Sequence, residues 1–355
     1  AGVTITDGGL YEGFYRSWRN QVQRSSAAEH GGAGQQSRQP ERMVAMDVGD
    51  KYCLQLHHGM MGSQQLVLGA FLSELSSYES FSIEVKDHIA HVQFSRPEAL
   101  NTMNKAFWLE LPRCMQDIED NTDARVIVIS STGKHFSAGM DLGVFSDPKA
   151  VPMNGDPGRM AENLRRVVLQ LQDTLTSLEK IRLPVLAAIH GGCIGGALDL
   201  VCAADSRYCT EDAYFTIKET ELGMTADVGT LQRLPKLMPE GVVRELAYTG
   251  RKFSATEAQN LGFVNAVYAD QESMLAGVMA IAGQIAANSP LAVTGCKEML
   301  NYSRDHSVED SLKYMATWQA GMFRPTDMMK SFQAKAQKQA PKYDALFPVK
   351  PLFDQ

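Results

Sequence analysis

Three carboxylates stand in apolar or glycine-rich surroundings between residues 189 and 229: Asp199 in GGALDLVC, Glu219 after the run AYFTIK, and Asp227 in GMTADVGT. Taking a carboxylate out of water costs several kcal/mol or forces its pKa upward. A group of them in such a setting therefore points to proton transfer. The same segment opens on HGGCIGG, and a second glycine turn, SAGMDLG at 137–143, lies upstream. Glycines ahead of a helix let the backbone approach a ligand and aim free N–H groups at it, with the helix dipole adding to the effect. A phosphate or a developing oxyanion would suit such a site. Two backbone donors from two separate turns are what an oxyanion hole requires. Taken singly, each residue has a plain structural reading: Asp199 as an acid in the first turn of a helix, Glu219 as a surface acid like its neighbour Glu221, Asp227 as an N-cap for a helix from Thr230. Together they suggest proton transfer beside a stabilised oxyanion.

The elements that must carry these groups alternate strand, loop and helix, the pattern of right-handed βαβ crossovers in an α/β fold. Residues 81–85 and 89–94 alternate as strands do, with a hairpin through 86–88. Residues 105–120 have helical periodicity through Phe107, Leu111, Met115 and Ile118, with Pro112 as a conflicting signal. RVIVIS at 125–130 and LPVLAAI at 183–189 read as buried parallel strands. Between them a helix over 158–180 carries a stripe of Leu164, Val168, Leu171, Leu175 and Leu178. A helix over 197–203 and strands at 206–209 and 213–217 follow. From Leu231 the pattern is mainly helical: 231–237, 241–248, 254–261, 271–287, 290–304 and 308–323. Ser254 and Glu257 have capping-box spacing. No internal repeat is visible.

Composition narrows the function. The net charge of −7 over 355 residues argues against a nucleic-acid or anionic-membrane partner. No apolar run approaches the roughly 20 residues of a membrane span. The six cysteines, Cys53, Cys114, Cys193, Cys202, Cys209 and Cys296, show no CxxC pairing and read as reduced and mostly buried. Residues 1–75 stand apart as an N-terminal extension. The stretch 15–43 is rich in Arg, Ser, Gln and Gly and poor in acids, as in a disordered tail or a mitochondrial transit segment. Segment 54–75 suggests a short helix, and its adjacent His57 and His58 are a poor basis for a metal site. The sequence ends PLFDQ, without an SKL-type peroxisomal address.

HFSAGMDL, IHGGCIGGALDL and FTIKETELGMTADVGTLQRLP together resemble the crotonase (enoyl-CoA hydratase/isomerase) superfamily, and within it the dienoyl-CoA isomerases; the likeness runs from about Tyr78 to Lys330. The resemblance implies a ClpP-like spiral of ββα turns over 76–270. It also implies a helical C-terminal region over 271–355 that helps build homotrimers, often paired into homohexamers. It implies an acyl-CoA thioester substrate whose carbonyl oxygen is held by the backbone N–H groups of Met140 and Gly196. Ala99, Asn101, Ala138, Gly139, Met140, Asp141, Leu142 and Gly196 then line the substrate. Glu219 falls at the general acid/base position, Asp227 at the position of an added acid, and Asp199 where hydratases place a water-activating glutamate. The implied reaction converts a 3,5-dienoyl-CoA to a 2,4-dienoyl-CoA with no metal or redox cofactor. Glu219 and Asp227 would be the proton-transferring pair, one ionised and one protonated, with Asp199 tuning them. The rivals are an enoyl-CoA hydratase of the same fold, an RNA-binding homologue and a non-catalytic scaffold. The helix at 105–120 is not basic, which disfavours the second, and the intact acid set disfavours the third.

Overall fold

The computed structural model describes residues 78–145, 155–323 and 325–347, all within one compact unit, Met60–Gln355. The expectations for 1–75, including His57, His58 and Cys53, lie outside the described residues.

Strands β1 (Phe81–Lys86) and β2 (Ile89–Phe94) form the expected antiparallel hairpin. Its two-residue turn, Asp87 and His88, has φ of 51° and 63°, the doubly positive pattern that matches strand twist. Helix α1 (Lys105–Asn121) is capped by Asn104, whose side chain accepts the Phe107 N–H, and it buries all four residues of the expected stripe. It continues through Pro112 for a specific reason. Proline has no N–H to offer the carbonyl four residues back, which belongs to Trp108. Thr174 Oγ1 of a neighbouring helix donates to that carbonyl at 3.3 Å instead.

Strand β3 (Val126–Ser131) leads through the short α2 (Leu142–Phe145) to α3 (Pro157–Lys180). The apolar stripe of α3 is buried only in its second half, at Leu175 and Leu178. Leu164 is exposed and Val168 half-exposed, because the helix is longer than the core surface it covers. Then come β4 (Val185–Ile189), β5 (Gly192–Ile194), α4 (Gly196–Cys202), β6 (Ser206–Thr210), β7 (Tyr214–Thr216) and α5 (Thr230–Arg233). After these follow α6 (Glu240–Thr249), β8 (Phe253–Ser254), α7 (Ala255–Asn260), β9 (Ala266–Tyr268), α8 (Gln271–Ala286), α9 (Pro290–Ser303), α10 (Val308–Met322) and α11 (Pro325–Ala336).

Two sheets result. The larger has the order β1-β2-β3-β4-β6-β9 and is parallel except for the β1–β2 pair. The smaller is β5-β7-β8: β7 falls within the strand expected at 213–217, while the signals of its two partners are weak. Glycines hide β5, and β8 has only two residues. Every residue of β3 and β4 is buried, as a sheet covered on both faces demands. One face meets the main core. The other carries Val126, Val128, Leu186, Ala188 and Tyr208 against Met274, Val278, Ala282 and Ala286 of α8. The capping box lies at α8, where Asp270 and Ser273 exchange hydrogen bonds. At α7, Ser254 accepts the Glu257 N–H, but the Glu257 carboxylate turns to Arg251, which satisfies it more strongly than a backbone amide. The five described cysteines are unpaired, four of them buried. Among the described residues no single helix is long and apolar enough to cross a membrane.

Candidate active site

Two glycine turns meet where the sheets adjoin. The chain leaves β4, passes through β5 and reaches Gly195, whose φ of 52° and ψ of −120° suit a residue without Cβ. Alongside runs the segment from Phe136 to Asp141, held by isolated bridges between Ser137 and Cys193 and between Met103 and Met140. Ser137 Oγ donates to Asn101 O at 2.7 Å and accepts the Gly139 N–H at 3.1 Å. Gly139, at φ 86°, packs so closely that a Cβ would stand 2.5 Å from Ile194 O and 3.4 Å from Gly196 N. On the other side a Cβ on Gly196 would stand 3.7 Å from Met140 N. The Met140 and Gly196 amides are thus neighbours. Among the described residues neither donates to a protein acceptor. Two unused, adjacent N–H groups in a largely buried setting are suited to an oxyanion.

The structure brings the three carboxylates to the same place. Asp199 is fully buried in α4; its Oδ1 accepts the Thr230 N–H at 2.5 Å, and among the described residues its Oδ2 has no hydrogen-bond partner. Burial pushes its carboxyl up to about 6, against the lowering effect of the Thr230 bond. Glu219 opens a single 3₁₀ turn after β7, and Oε1 lies where it would be 3.0 Å from a Cβ on Gly195. Burial, and then the charge of Asp199, push Glu219 up to about 7. Asp227 is half-buried and also raised by burial. The expected separation of the two acids does not come from opposite shifts: both move upward, and Glu219 alone also feels the other two carboxylates. Helix α5 begins after Gly229, and Asp199 rather than Asp227 supplies the carboxylate to its first amide.

The remaining expected residues lie on the segments bonded to the Met140 turn. Ala99 ends a 3₁₀ turn, and Asn101 is buried with φ 52°. Asn101 spends its side chain on the protein: Oδ1 accepts the Arg96 N–H at 3.0 Å, and Nδ2 donates to Thr132 O at 2.7 Å and His135 O at 3.0 Å. Its backbone is engaged as well, the N–H donating to Arg96 O at 2.9 Å and the carbonyl accepting from Ser137 Oγ, so Asn101 shapes the turn rather than offering a free group to a ligand. The Ala138 N–H donates to Leu100 O, tying that turn to the first. The Asp141 carboxylate is likewise engaged, accepting from Thr102 Oγ1 and the Gly143 N–H. Leu142 begins α2.

Sequence reasoning missed the residues that hold this frame. Trp108 Nε1 donates to Met103 O at 3.1 Å and lies 3.2 Å from Met140 Sδ, clamping the bridge that carries the Met140 amide. Gln172, Glu179 and Arg233 surround the Asp227 loop. The only trace of the first two in the sequence is their spacing on one face of α3.

Known proteins resemble this chain. The family model described as enoyl-CoA hydratase/isomerase matches residues 84–345. A mouse protein named mitochondrial Δ(3,5)-Δ(2,4)-dienoyl-CoA isomerase is 44% identical over 314 residues, covering 83% of this chain and 96% of its own. A peroxisomal protein of the same name from Arabidopsis thaliana is 42% identical, covering 77% and 99%. The crystal structure of an enoyl-CoA hydratase from Bacillus anthracis superposes with a TM-score of 0.67 at 29% identity, covering 75% of this chain and 99% of that one.

Proposed function

The chain belongs to the enoyl-CoA hydratase/isomerase family, and we propose that within it this protein is an isomerase converting a 3,5-dienoyl-CoA to a 2,4-dienoyl-CoA in the β-oxidation of unsaturated fatty acids. The observation that carries the reading is the Glu219 carboxyl seated over Gly195, one residue before the Gly196 amide, with Asp199 and Asp227 close enough to act on its charge. Relatives of that name at 42–45% identity support the same reaction.

The chemistry follows from the geometry. The thioester oxygen accepts from the Met140 and Gly196 amides. The C2 proton lies between a thioester and a double bond and is acidified by both. One carboxylate removes it, and the negative charge spreads from the oxygen through C2 and C4 to C6. The paired amides stabilise that dienolate because they are fixed before the charge develops. The second carboxyl then gives a proton to C6, leaving double bonds at C2 and C4. One proton leaves and one returns, so the step needs no redox cofactor. Glu219 and Asp227 are the exchanging pair: burial raises both carboxyls, and Glu219, pushed up to about 7, can hold or release its proton near neutral pH. Asp199 acts on Glu219 through charge and fixes Thr230.

We further propose that copies associate as homotrimers or homohexamers through the C-terminal helices. These leave Leu300, Met315 and Met322 exposed around an apolar cavity of about 720 Å³ between α9, α10 and α11. A mitochondrial location accords with the relatives from mouse and human and with the acid-poor, Arg-rich stretch 15–43.

An ultraviolet assay with 3,5-octadienoyl-CoA tests the reaction. Wild type should form the conjugated 2,4-diene, and Asp227→Asn should largely lose it. A protein that hydrates a 2-enoyl-CoA and leaves the diene untouched is a hydratase, and the isomerase reading falls.

A further inference from the structure

The Asp227 carboxyl has no side-chain partner among the described residues, so its aim depends on the backbone that carries it. That backbone is gripped at each residue from 227 to 230. Gln172 Nε2 donates to Asp227 O at 2.6 Å. Arg233 Nη1 donates to Val228 O at 3.4 Å. Gly229, at φ 138°, lies flat beneath the same guanidinium, and a Cβ there would stand 1.8 Å from Nη1. The Thr230 N–H donates to Asp199 Oδ1.

Arg233 is itself fixed from α3. Its Nε and Nη2 form a fork onto the two Glu179 oxygens at 3.1 and 2.8 Å, and Nη2 also donates to Thr176 Oγ1 at 3.0 Å. The side chains of this pair are only 13% and 11% exposed, and Arg304, the residue just past α9, bonds to the same Glu179. Gln172, Thr176 and Glu179 are spaced by four and three residues, so they lie on one face of α3. A buried ion pair is a poor way to gain stability, because desolvation offsets most of the attraction. Its value here is geometric, since a bidentate fork fixes direction as well as distance.

We propose that Gln172 and the Arg233–Glu179 pair are positioning residues that aim Asp227 at the acyl chain, α3 acting as the rail to which the acid-bearing loop is fastened. The proposal rests on the reading of Asp227 as one of the two proton-transferring groups. A displacement of about 1 Å at a reacting group costs on the order of 100-fold in rate, so loss of one fastening should be visible in turnover.

The test uses the full-length enzyme with 3,5-octadienoyl-CoA in D₂O, following both formation of the conjugated diene and deuterium uptake into recovered substrate. Asp227→Asn and Glu219→Gln give two reference patterns, because the two acids serve opposite ends of the proton transfer. Gln172→Met keeps the length of the side chain and removes the donor. It should lower kcat about 10- to 100-fold with KM within about twofold, and its ratio of exchange to isomerisation should follow Asp227→Asn. Arg233→Lys, which keeps the charge without the fork, should shift the ratio in the same direction. Wild-type turnover in Gln172→Met, or a ratio following Glu219→Gln, overturns the proposal while leaving the isomerase reading intact. A wild-type rate in Asp227→Asn removes the premise itself. Thermal unfolding of each variant separates loss of aim from loss of fold: a fall in activity matched by the unfolded fraction also overturns the proposal.

Discussion

The Glu219 carboxyl occupies the space that a side chain on Gly195 would need: a Cβ there would stand 3.0 Å from Oε1. The glycine serves twice, since its φ of 52° with ψ of −120° also turns the chain into α4. Gly195→Ala should therefore strain the turn that presents the Gly196 amide and displace Glu219 together. Backbone strain of this kind costs about 1–3 kcal/mol. The expected result is a fall in kcat of about 100-fold or more in a protein that still folds, checked by steady-state kinetics alongside circular dichroism.

Asp199 should set the pH dependence of the rate. Its negative charge is one of the causes holding Glu219 up at about 7, after burial. Asp199→Asn removes that charge, so the limb of the kcat/KM profile belonging to the carboxylate set should move to lower pH. The limb reports the coupled set rather than one residue. A limb that stays in place or moves upward would show that Asp199 does not act on Glu219 through charge.

The same residue should leave a mark on stability. An acid raised above its ordinary value in the folded state binds its proton more tightly there than in the unfolded chain. Its stabilising contribution is full below about pH 4 and declines as pH rises to about 6, where Asp199 ionises in the fold. Asp199→Asn lacks this loss. Urea titrations should show the variant gaining on wild type by on the order of 2 kcal/mol between pH 4 and pH 7. A constant difference across that range would contradict the upward shift.

Lys297 of α9 gives a prediction about the fold rather than the reaction. Its Nζ is buried, donates to Leu178 O at 2.7 Å and Leu183 O at 2.9 Å, and pairs with Asp205 at 2.9 Å. It fastens α9 to the end of α3 and the start of β4. Lys297→Met should cost about 3 kcal/mol, the low end for breaking a buried pair, because Asp205 keeps contact with solvent. Chemical denaturation measures the loss, and kcat of the folded fraction should be unchanged.

Much of this site was legible in the sequence because its chemistry is local. The two glycine turns announce themselves by composition, and the three acids stand out against apolar neighbours. The hairpin at Asp87 and His88 and the stripe on α1 follow from periodicity. What was hidden depends on partners far away in the chain. Pro112 reads as a helix breaker until Thr174 is seen supplying the missing hydrogen bond. β5 reads as a glycine loop until β7 pairs with it. Asn101 resembles a ligand contact, yet its side chain is consumed by three backbone groups spread over 40 residues. Gln172 and Glu179 look like ordinary polar positions on a helix, and only the folded loop at 227–230 gives them a purpose.

The amides proposed to receive the carbonyl oxygen and the acids proposed to move protons arise from different lengths of chain. Met140 sits on a turn between the larger sheet and α2, whereas Glu219 and Asp227 follow β7 of the smaller one. Among the described residues, the Met140 turn is held by bridges and backbone bonds to the Met103 and Cys193 segments rather than by either acid. A lineage can therefore rewrite Asp227 without disturbing the Met140 half of the part proposed to activate a thioester, whereas Glu219 packs on the Gly195 turn that presents the Gly196 amide. Inheritance of a fixed activating platform with an exchangeable proton-handling loop gives one scaffold access to several reactions on the same class of substrate.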